Sequence, residues 1–342
     1  MASNDSFFVV PPEISAITGV VDTYARWKHT NGGPRGYEKY HPSAFGKCLR
    51  LMQYLRYEER GFLKSKSTEI ESKLVRLFDK GHNMHERWTV YFEEIGVLRG
   101  IWECTNPMCE LFLDRDISSS SPALKSNTAH DFDISKIDKP RRYGIDDKIG
   151  CFKPKVCHCG NKDFKYQEVA VRDVDLNLYG HADMILDFSN FNKERFGGTS
   201  LAFNIDHLPA TPVVVDMKTA NDYRFQQLMR KGPGLDYRIQ LVIYANILDL
   251  DYGVLIYENK NTSALAAYKI DKDTDLIFSQ IKQQVETMNN MTDLKLLPPP
   301  RPAEKDDYEC SHCPFKDICH SSKIWDDQNL HTKRKNFYGT LL

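Results

Sequence analysis

Apolar positions along the chain follow two periods, and each predicts a kind of element. Leu74, Leu77, Phe78, Met84, Trp88, Tyr91 and Ile95 recur at three- and four-residue steps, which predicts an amphipathic helix ending near residue 95. Thr68 and Glu71 stand at capping-box spacing ahead of it. A shorter helix is expected over 42–58, PSAFGKCLRLMQYLRYE, with Ser43 near its start. Strands are expected in EVAVRDVDLNLYG, HADMILDF and PVVVDMKT, with 189–211 as a loop excursion before the third. A helix over 236–249, strands in YGVLIYE and ALAAYKI, and a helix over 273–291 follow, before a proline stop at 298–302. Helices, strands, helix, strands, helix in that order predict an α/β fold, a central mixed sheet with helices on its faces.

Composition narrows the classes. The 342 residues suit about two domains, or one with insertions. Lys plus Arg (46) nearly cancels Asp plus Glu (47), which excludes a polycation that coats nucleic acid by bulk charge; binding there needs a local basic groove. Arg224, Arg230, Lys231 and Arg238 are the residues proposed to line one. No apolar run is long enough to span a membrane, and Met1–Pro12 lacks the basic start and long apolar stretch of a secretory signal. An intracellular, reducing, cytoplasmic location is therefore expected, where patterned cysteines mean metal sooner than disulfide.

The nine cysteines fall in three places. Residues 101–165 hold five of them around the polar stretch SSSSPALKSNTAHD and look like an insertion with its own metal staple. Cys104-x4-Cys109 and Cys157-x-Cys159-Gly160 resemble the two knuckles of a zinc ribbon, a Zn²⁺ site in which Cys151 or His158 could replace one ligand. Cys151 is otherwise read as a free thiol. Trp102, Phe112, Phe152 and Lys153 nearby could stack on or pair with nucleic acid. Cys48 stands alone, and Cys310-x2-Cys313-x5-Cys319 comes near the end. These four thiolates could hold a [4Fe–4S] cluster or a tetrahedral zinc ion.

The candidate catalytic chemistry lies on the strands. In PVVVDMKT, Asp216 and Lys218 are two apart and point to one face. Asp183, in YGHADMILDF, placed beside Asp216 would complete a two-carboxylate pocket for Mg²⁺ or Mn²⁺. Lys218 could then hold the attacking water or ease its ionisation. Gln240 and Tyr244, four apart, share a face of the helix IQLVIYANIL, and His85 sits on the stripe of Met84 and Trp88. Each feature has an ordinary reading: a salt bridge at a strand end, a buried polar pair, a core histidine. His181 alternates to the opposite strand face from Asp183. Glu168 is read as a surface carboxylate sooner than a metal ligand, and the basic run HTKRKN at 331–336 as a solvated end.

Taken in order, Gly81-x3-His85, Gly180-x2-Asp183, Asp216-x-Lys218 and Gln240-x3-Tyr244, with Cys48 ahead and the three late cysteines behind, resemble the RecB-like branch of the PD-(D/E)XK nucleases. The split cysteines are similar to those of its iron–sulfur members, AddB-type and CRISPR-associated RecB-like exonucleases. The resemblance covers about 42–320 apart from the insertion; Ala182 stands where the superfamily name has proline. It implies a restriction-endonuclease-like core. It also implies Asp183, Asp216 and His85 as Mg²⁺ or Mn²⁺ ligands, Lys218 as the water-orienting residue, and Gln240 and Tyr244 as positioning groups. For Cys48, Cys310, Cys313 and Cys319 it favours a [4Fe–4S] cluster over zinc.

The expected organisation is an arm at 1–41, a helical part of the nuclease core at 42–100, the zinc-ribbon-like insertion at 101–165, and the catalytic core at 166–297. An iron–sulfur segment at 298–325 and a tail at 326–342 follow. The expected function is a metal-dependent DNA exonuclease acting on single strands or DNA ends in recombination, repair or phage-like DNA metabolism. The alternatives are a structure-specific endonuclease, or a nucleic-acid-binding module of a larger complex. No GxxxxGK[ST] motif is present, so a separate helicase or recombinase partner is conceivable.

Overall fold

The computed structural model describes residues 19–24, 26–27, 36–65, 72–109, 141–196, 207–272, 276–302, 304–305 and 307–339. The Thr68–Glu71 capping pair, Phe112 and the stretch SSSSPALKSNTAHD lie outside them.

The first helix begins later than its sequence pattern implies. Pro42–Ala44 form a single 3₁₀ turn, and α1 (Leu49–Glu59) starts after Cys48, which occupies the cap position. Helix α2 (Ser72–Ile95) follows. Its apolar stripe is only partly core-facing: Met84 is buried and Trp88 packs on the core, whereas Leu77, Phe78 and Tyr91 are exposed.

Strand β1 (Leu98–Cys104) alternates buried and half-buried positions and is a central strand of the sheet. The expected insertion therefore begins inside a core strand. Strands β2 (Arg142–Tyr143), β3 (Cys151–Phe152) and β4 (Phe164–Gln167) all pair antiparallel with β1. Strands β5 (Val169–Asp173) and β6 (Leu178–Ala182) form a separate hairpin. Then β7 (Met184–Leu186) rejoins β1 and pairs with β8 (Val213–Ala220).

Helices α3 (Asp222–Lys231) and α4 (Leu235–Leu248) connect β8 to its parallel neighbour β9 (Tyr252–Asn259). Strand β10 (Leu265–Asp271) closes that edge, and the order is β10-β9-β8-β7-β1-β2, a mixed sheet flanked by helices. Helices α5 (Ile277–Asp293), α6 (Tyr308–Ser311), α7 (Lys316–His320) and α8 (Leu330–Tyr338) complete the order; α8 includes the basic run, and its Tyr338 is buried.

Both faces of β8 are covered, as its near-continuous apolar run requires. Val213, Val215 and Met217 pack with Met84 of α2, while Val214 packs with Ile239, Leu241 and Ile243 of α4. Helix α4 is buried almost all round, which accounts for its unbroken IQLVIYANIL sequence. Asp216 alternates onto the α4 side, so a charged residue is carried into the middle of the molecule by the strand's own period.

Candidate active site

Asp183 sits in the one-residue break between β6 and β7, and Asp216 lies at mid-strand in β8, where Met184 pairs with Val215. The fold thus brings the two carboxylates together. Asp216 is 1% exposed, and its Oδ1 accepts a 2.6 Å hydrogen bond from Lys218 Nζ. Asp216 Oδ2 and Asp183 Oδ2 are buried without any hydrogen-bond partner. Buried ionised oxygens left open are costly, and the titration reflects this. Burial, reinforced by Asp183 and opposed by Lys218, pushes the Asp216 carboxyl up to about 7. Burial also raises Asp183, against the pull of Asp216 hydrogen bonding and Lys218.

Helix α2 brings His85 to the same place, its Nδ1 3.2 Å from Asp183 Oδ2. Burial and then the Lys218 charge lower the imidazole, so the neutral ring is favoured. A neutral imidazole beside a carboxylate with open lone pairs is a donor set suited to a divalent cation. Burial alone would lower the Lys218 ammonium, but Asp216 and Asp183 outweigh it and the net shift is upward. Lys218 is therefore a fixed positive charge, with the face of the Tyr237 ring 5.4 Å from its nitrogen.

Gln240 and Tyr244 lie behind the carboxylates. Gln240 Nε2 donates to Tyr244 Oη at 3.2 Å, and both residues are buried. A methyl group on Gly180 would stand 3.2 Å from Tyr244 Oη and 3.0 Å from Pro42, so glycine lets the strand leading to Asp183 press against α4. Gly81 has open space around it, and no packing demand on this glycine is visible.

Tyr166, which the sequence reading passed over, and Glu168, which it read as a surface carboxylate, also bear on Asp183. Tyr166 Oη donates to the Asp183 carbonyl at 3.1 Å, its ring lying where any side chain on Gly100 would be. Glu168 perturbs Asp183 and is itself raised, by burial and then by the Asp216 charge. Glu168 is exposed, as a surface carboxylate would be. His181 turns away from the carboxylates and meets Tyr179 Oη at 3.1 Å.

Cys104, Cys109, Cys157 and Cys159 converge, all four sulfurs within 4.8 Å of one another. Cys104 Sγ is 3.7 Å from Cys159 Sγ, and Cys109 Sγ is 3.2 Å from Cys157 Sγ. Zinc–sulfur bonds of about 2.3 Å require tetrahedral sulfurs under about 4 Å apart, so the set fits a single ion. Tyr143 Oη and Asn161 Nδ2 donate to Cys157 and Cys104, at 3.2 and 3.4 Å. Although burial opposes it, hydrogen bonding from Tyr143 and the Cys159 backbone brings the Cys157 thiol down to about 6, toward the thiolate that metal binding needs. Cys151 stands outside the set, and its carbonyl accepts from the Trp102 indole at 3.0 Å. Trp102 is fully buried, which removes it as a base-stacking surface; Lys153 is paired with Glu93 at 2.6 Å, and Phe152 lies under Arg99. The alternation of β1 turns Trp102 inward with Leu98 and Cys104.

Cys48, Cys310, Cys313 and Cys319 line one cavity, with Arg50, Tyr54, Glu309, Lys316 and His320. Burial holds Cys48 up at about 11 and Cys310 at about 12. Four thiols, those of Cys310 and Cys319 buried and those of Cys48 and Cys313 half-buried, gathered round a cavity beside Arg50 and Lys316 fit an anionic thiolate-bound group. The neighbouring contacts tie the chain's early helix to its late segments: Arg50 Nη1 donates to the Pro298 carbonyl at 2.8 Å and Tyr57 Oη to that of Leu296 at 2.6 Å. Arg224, Arg230, Lys231 and Arg238 are all exposed along α3 and α4.

Residues 161–320 match the profile of the PD-(D/E)XK nuclease superfamily. That span holds Asp183, Asp216, Lys218, Gln240, Tyr244 and the three late cysteines, and it forms a nuclease-superfamily domain. This match supports a nuclease, and the superfamily suggests a metal-dependent one. A solved structure, "Crystal structure of SSO0001", is similar over 89% of this chain and 96% of that chain, at 14% identity and a TM-score of 0.41. No curated protein matches. Among the described residues, no helix is long and apolar enough to cross a membrane.

Proposed function

We propose that this protein is a Mg²⁺- or Mn²⁺-dependent deoxyribonuclease that removes nucleotides from single strands or DNA ends, in recombination, repair or phage-like DNA metabolism. The observation that carries the reading is the buried Asp183–Asp216 pair beside the Lys218 ammonium, with Asp216 Oδ2 lacking a hydrogen-bond partner and Asp183 Oδ2 met by His85 Nδ1 at 3.2 Å. The RecB-like resemblance supports exonucleolytic cutting and the six-part division of the chain given above.

Asp183, Asp216 and neutral His85 would hold the cation. A divalent cation at these residues would supply Lewis-acid charge for the phosphate and ease ionisation of water. In the hydrolysis, a water oxygen bonds to phosphorus, the bond to the leaving sugar oxygen breaks, and that oxygen takes up a proton. Lys218, kept as an ammonium by Asp216, donates to the water or to a phosphate oxygen; it does not act as the base. Gln240 and Tyr244 brace Gly180 and so fix Asp183. Arg224, Arg230, Lys231 and Arg238 offer backbone-phosphate contacts whose strength falls with salt. Cys48, Cys310, Cys313 and Cys319 would hold a [4Fe–4S] cluster with a structural role first, and the insertion's four cysteines a zinc ion.

The test is release of nucleotides from end-labelled single-stranded DNA with Mn²⁺, comparing wild type with Asp216→Ala. Release by the wild type alone supports the reading, and closed circular single strands left intact support exonuclease action. Equal release by both proteins overturns it.

A further inference from the structure

Asp183 stands between two strand ladders: Ala182 before it pairs with Val169, and Met184 after it pairs with Val215. At this break the Tyr166 hydroxyl donates to the Asp183 carbonyl at 3.1 Å. The bond spans seventeen residues of sequence and joins β4 to the main chain of a site carboxylate.

The ring that carries this hydroxyl is itself held. Tyr166 pairs with Trp102 across β4 and β1, and the two rings meet edge to face with centroids 5.3 Å apart. Trp102 is fully buried, and its indole donates to the Cys151 carbonyl at 3.0 Å. Any side chain on Gly100 would collide with the Tyr166 ring, so this glycine of β1 leaves the ring its place.

Strand β4 is also the one that leads out of the cysteine set. Cys157 and Cys159 precede it, and its first residue, Phe164, pairs with Cys104. Asn161 Nδ2 donates to the Cys104 sulfur at 3.4 Å and to the Asp163 carbonyl at 2.8 Å. The four cysteines thus gather the ends of both strands on which Trp102 and Tyr166 stand.

We propose that Tyr166 is a positioning residue for Asp183, through which the four-cysteine insertion sets the geometry of the nuclease site. The inference rests on the nuclease reading and deepens it. A donor oxygen binds a cation well when neighbouring groups hold it in place beforehand. Tyr166 holds the Asp183 main chain, and His85 Nδ1 meets the Asp183 side chain at 3.2 Å. The residue is therefore steadied at both ends, from β4 on one side and from α2 on the other.

The test uses the full chain, iron- and zinc-replete. Free Mn²⁺ is followed by electron paramagnetic resonance during titration of wild type, Tyr166→Phe, Tyr179→Phe and Asp216→Asn. Nucleotide release from end-labelled single-stranded DNA is measured across the same Mn²⁺ range. Tyr166→Phe keeps the ring and removes the bond. It is expected to weaken Mn²⁺ binding about 10-fold and to shift the activation curve equally, with KM for DNA unchanged. A role in packing alone would leave the phenylalanine variant equal to wild type in both titrations. Tyr179→Phe removes a nearby hydroxyl that meets His181 instead of Asp183, and it leaves the Mn²⁺ titration unchanged. Cys157→Ser, which opens the cysteine set, is expected to weaken Mn²⁺ binding in the wild-type background and to add little to Tyr166→Phe. Additive losses would overturn the coupling to the insertion. If Tyr166→Phe titrates like the wild type while Asp216→Asn loses both binding and cleavage, the proposal falls and the nuclease reading stands. If the wild type neither binds Mn²⁺ nor releases nucleotides, both fall.

Discussion

Lys218 Nζ lies 2.6 Å from Asp216 Oδ1, while the other oxygen of the same carboxylate has no partner. One side chain therefore has two separate duties. Its bonded oxygen holds the ammonium in place and in charge, and in the proposed function its open oxygen would take the cation. Their spacing of two along β8 makes this possible, since both side chains leave the strand on one face.

Lys218→Met keeps the stem of the side chain and removes its charge. Losing a fixed donor to developing phosphate charge typically lowers kcat about 10²- to 10³-fold. The loss is expected at saturating Mn²⁺, with an unchanged circular-dichroism spectrum. A variant retaining most of the wild-type kcat would make the pair an ordinary ion pair.

Asp216 also makes stability depend on pH, and the sign follows from its upward shift. Its carboxyl titrates near the usual 3.8 when unfolded and at about 7 when folded without a cation. Between those values the folded state holds the extra proton, so stability is fully present below about pH 4 and is lost as pH rises through about 7. The upper limit is on the order of a few kcal/mol. Asp216→Asn should therefore stabilise the Mg²⁺- and Mn²⁺-free protein at pH 8 and do little at pH 4. Thermal melts of the two proteins across this range check it, and parallel curves would refute it. Mn²⁺ affinity of the wild type should fall as pH drops below 7.

How far this site could be read in advance depended on which contacts set each residue's place. β8 was legible because three consecutive valines and the two-residue spacing of Asp216 and Lys218 are local facts. α4 was legible because its apolar run is long. α3 was not, because only Phe225 and Leu228 are buried on it and its helix is fixed by a cap: Asn221 accepts from the Arg224 N–H at 2.8 Å. Tyr166 was hidden for a different reason. Its partner Asp183 is seventeen residues away, and only the fold joins them. The inward turn of Trp102 was available from alternation along β1 but was overridden by the local company of Phe152 and Lys153.

The two cysteine sets are expected to respond separately. Cys157→Ser should lose zinc, measured by elemental analysis, and lower the melting temperature, because Cys104 ends core strand β1. Cys151→Ser should keep both metals. Equal zinc in wild type and Cys157→Ser would remove the insertion site.

Cys313→Ser is expected to lose the broad visible absorbance and the iron of anaerobically purified wild type while keeping zinc. A colourless, iron-free wild type with additional zinc would assign the Cys48, Cys310, Cys313 and Cys319 cavity to zinc.

Gly180→Ala tests how Asp183 is held. The added methyl meets the Pro42 ring at 3.0 Å and Tyr244 Oη at 3.2 Å, and neither can move freely. Pro42 is fixed in its turn, and Tyr244 is buried and bonded to Gln240. Overpacking of this kind costs about 1–3 kcal/mol, and the strain falls on β6, which ends next to Asp183. The expected result is a lower melting temperature and a kcat reduced by more than the stability loss explains. Tyr244→Phe removes the polar obstacle, so the double variant should recover part of what Gly180→Ala loses. A double-mutant cycle measures that coupling. Strict additivity would mean that Tyr244 does not brace the strand, and that Gly180 serves only the contact with Pro42.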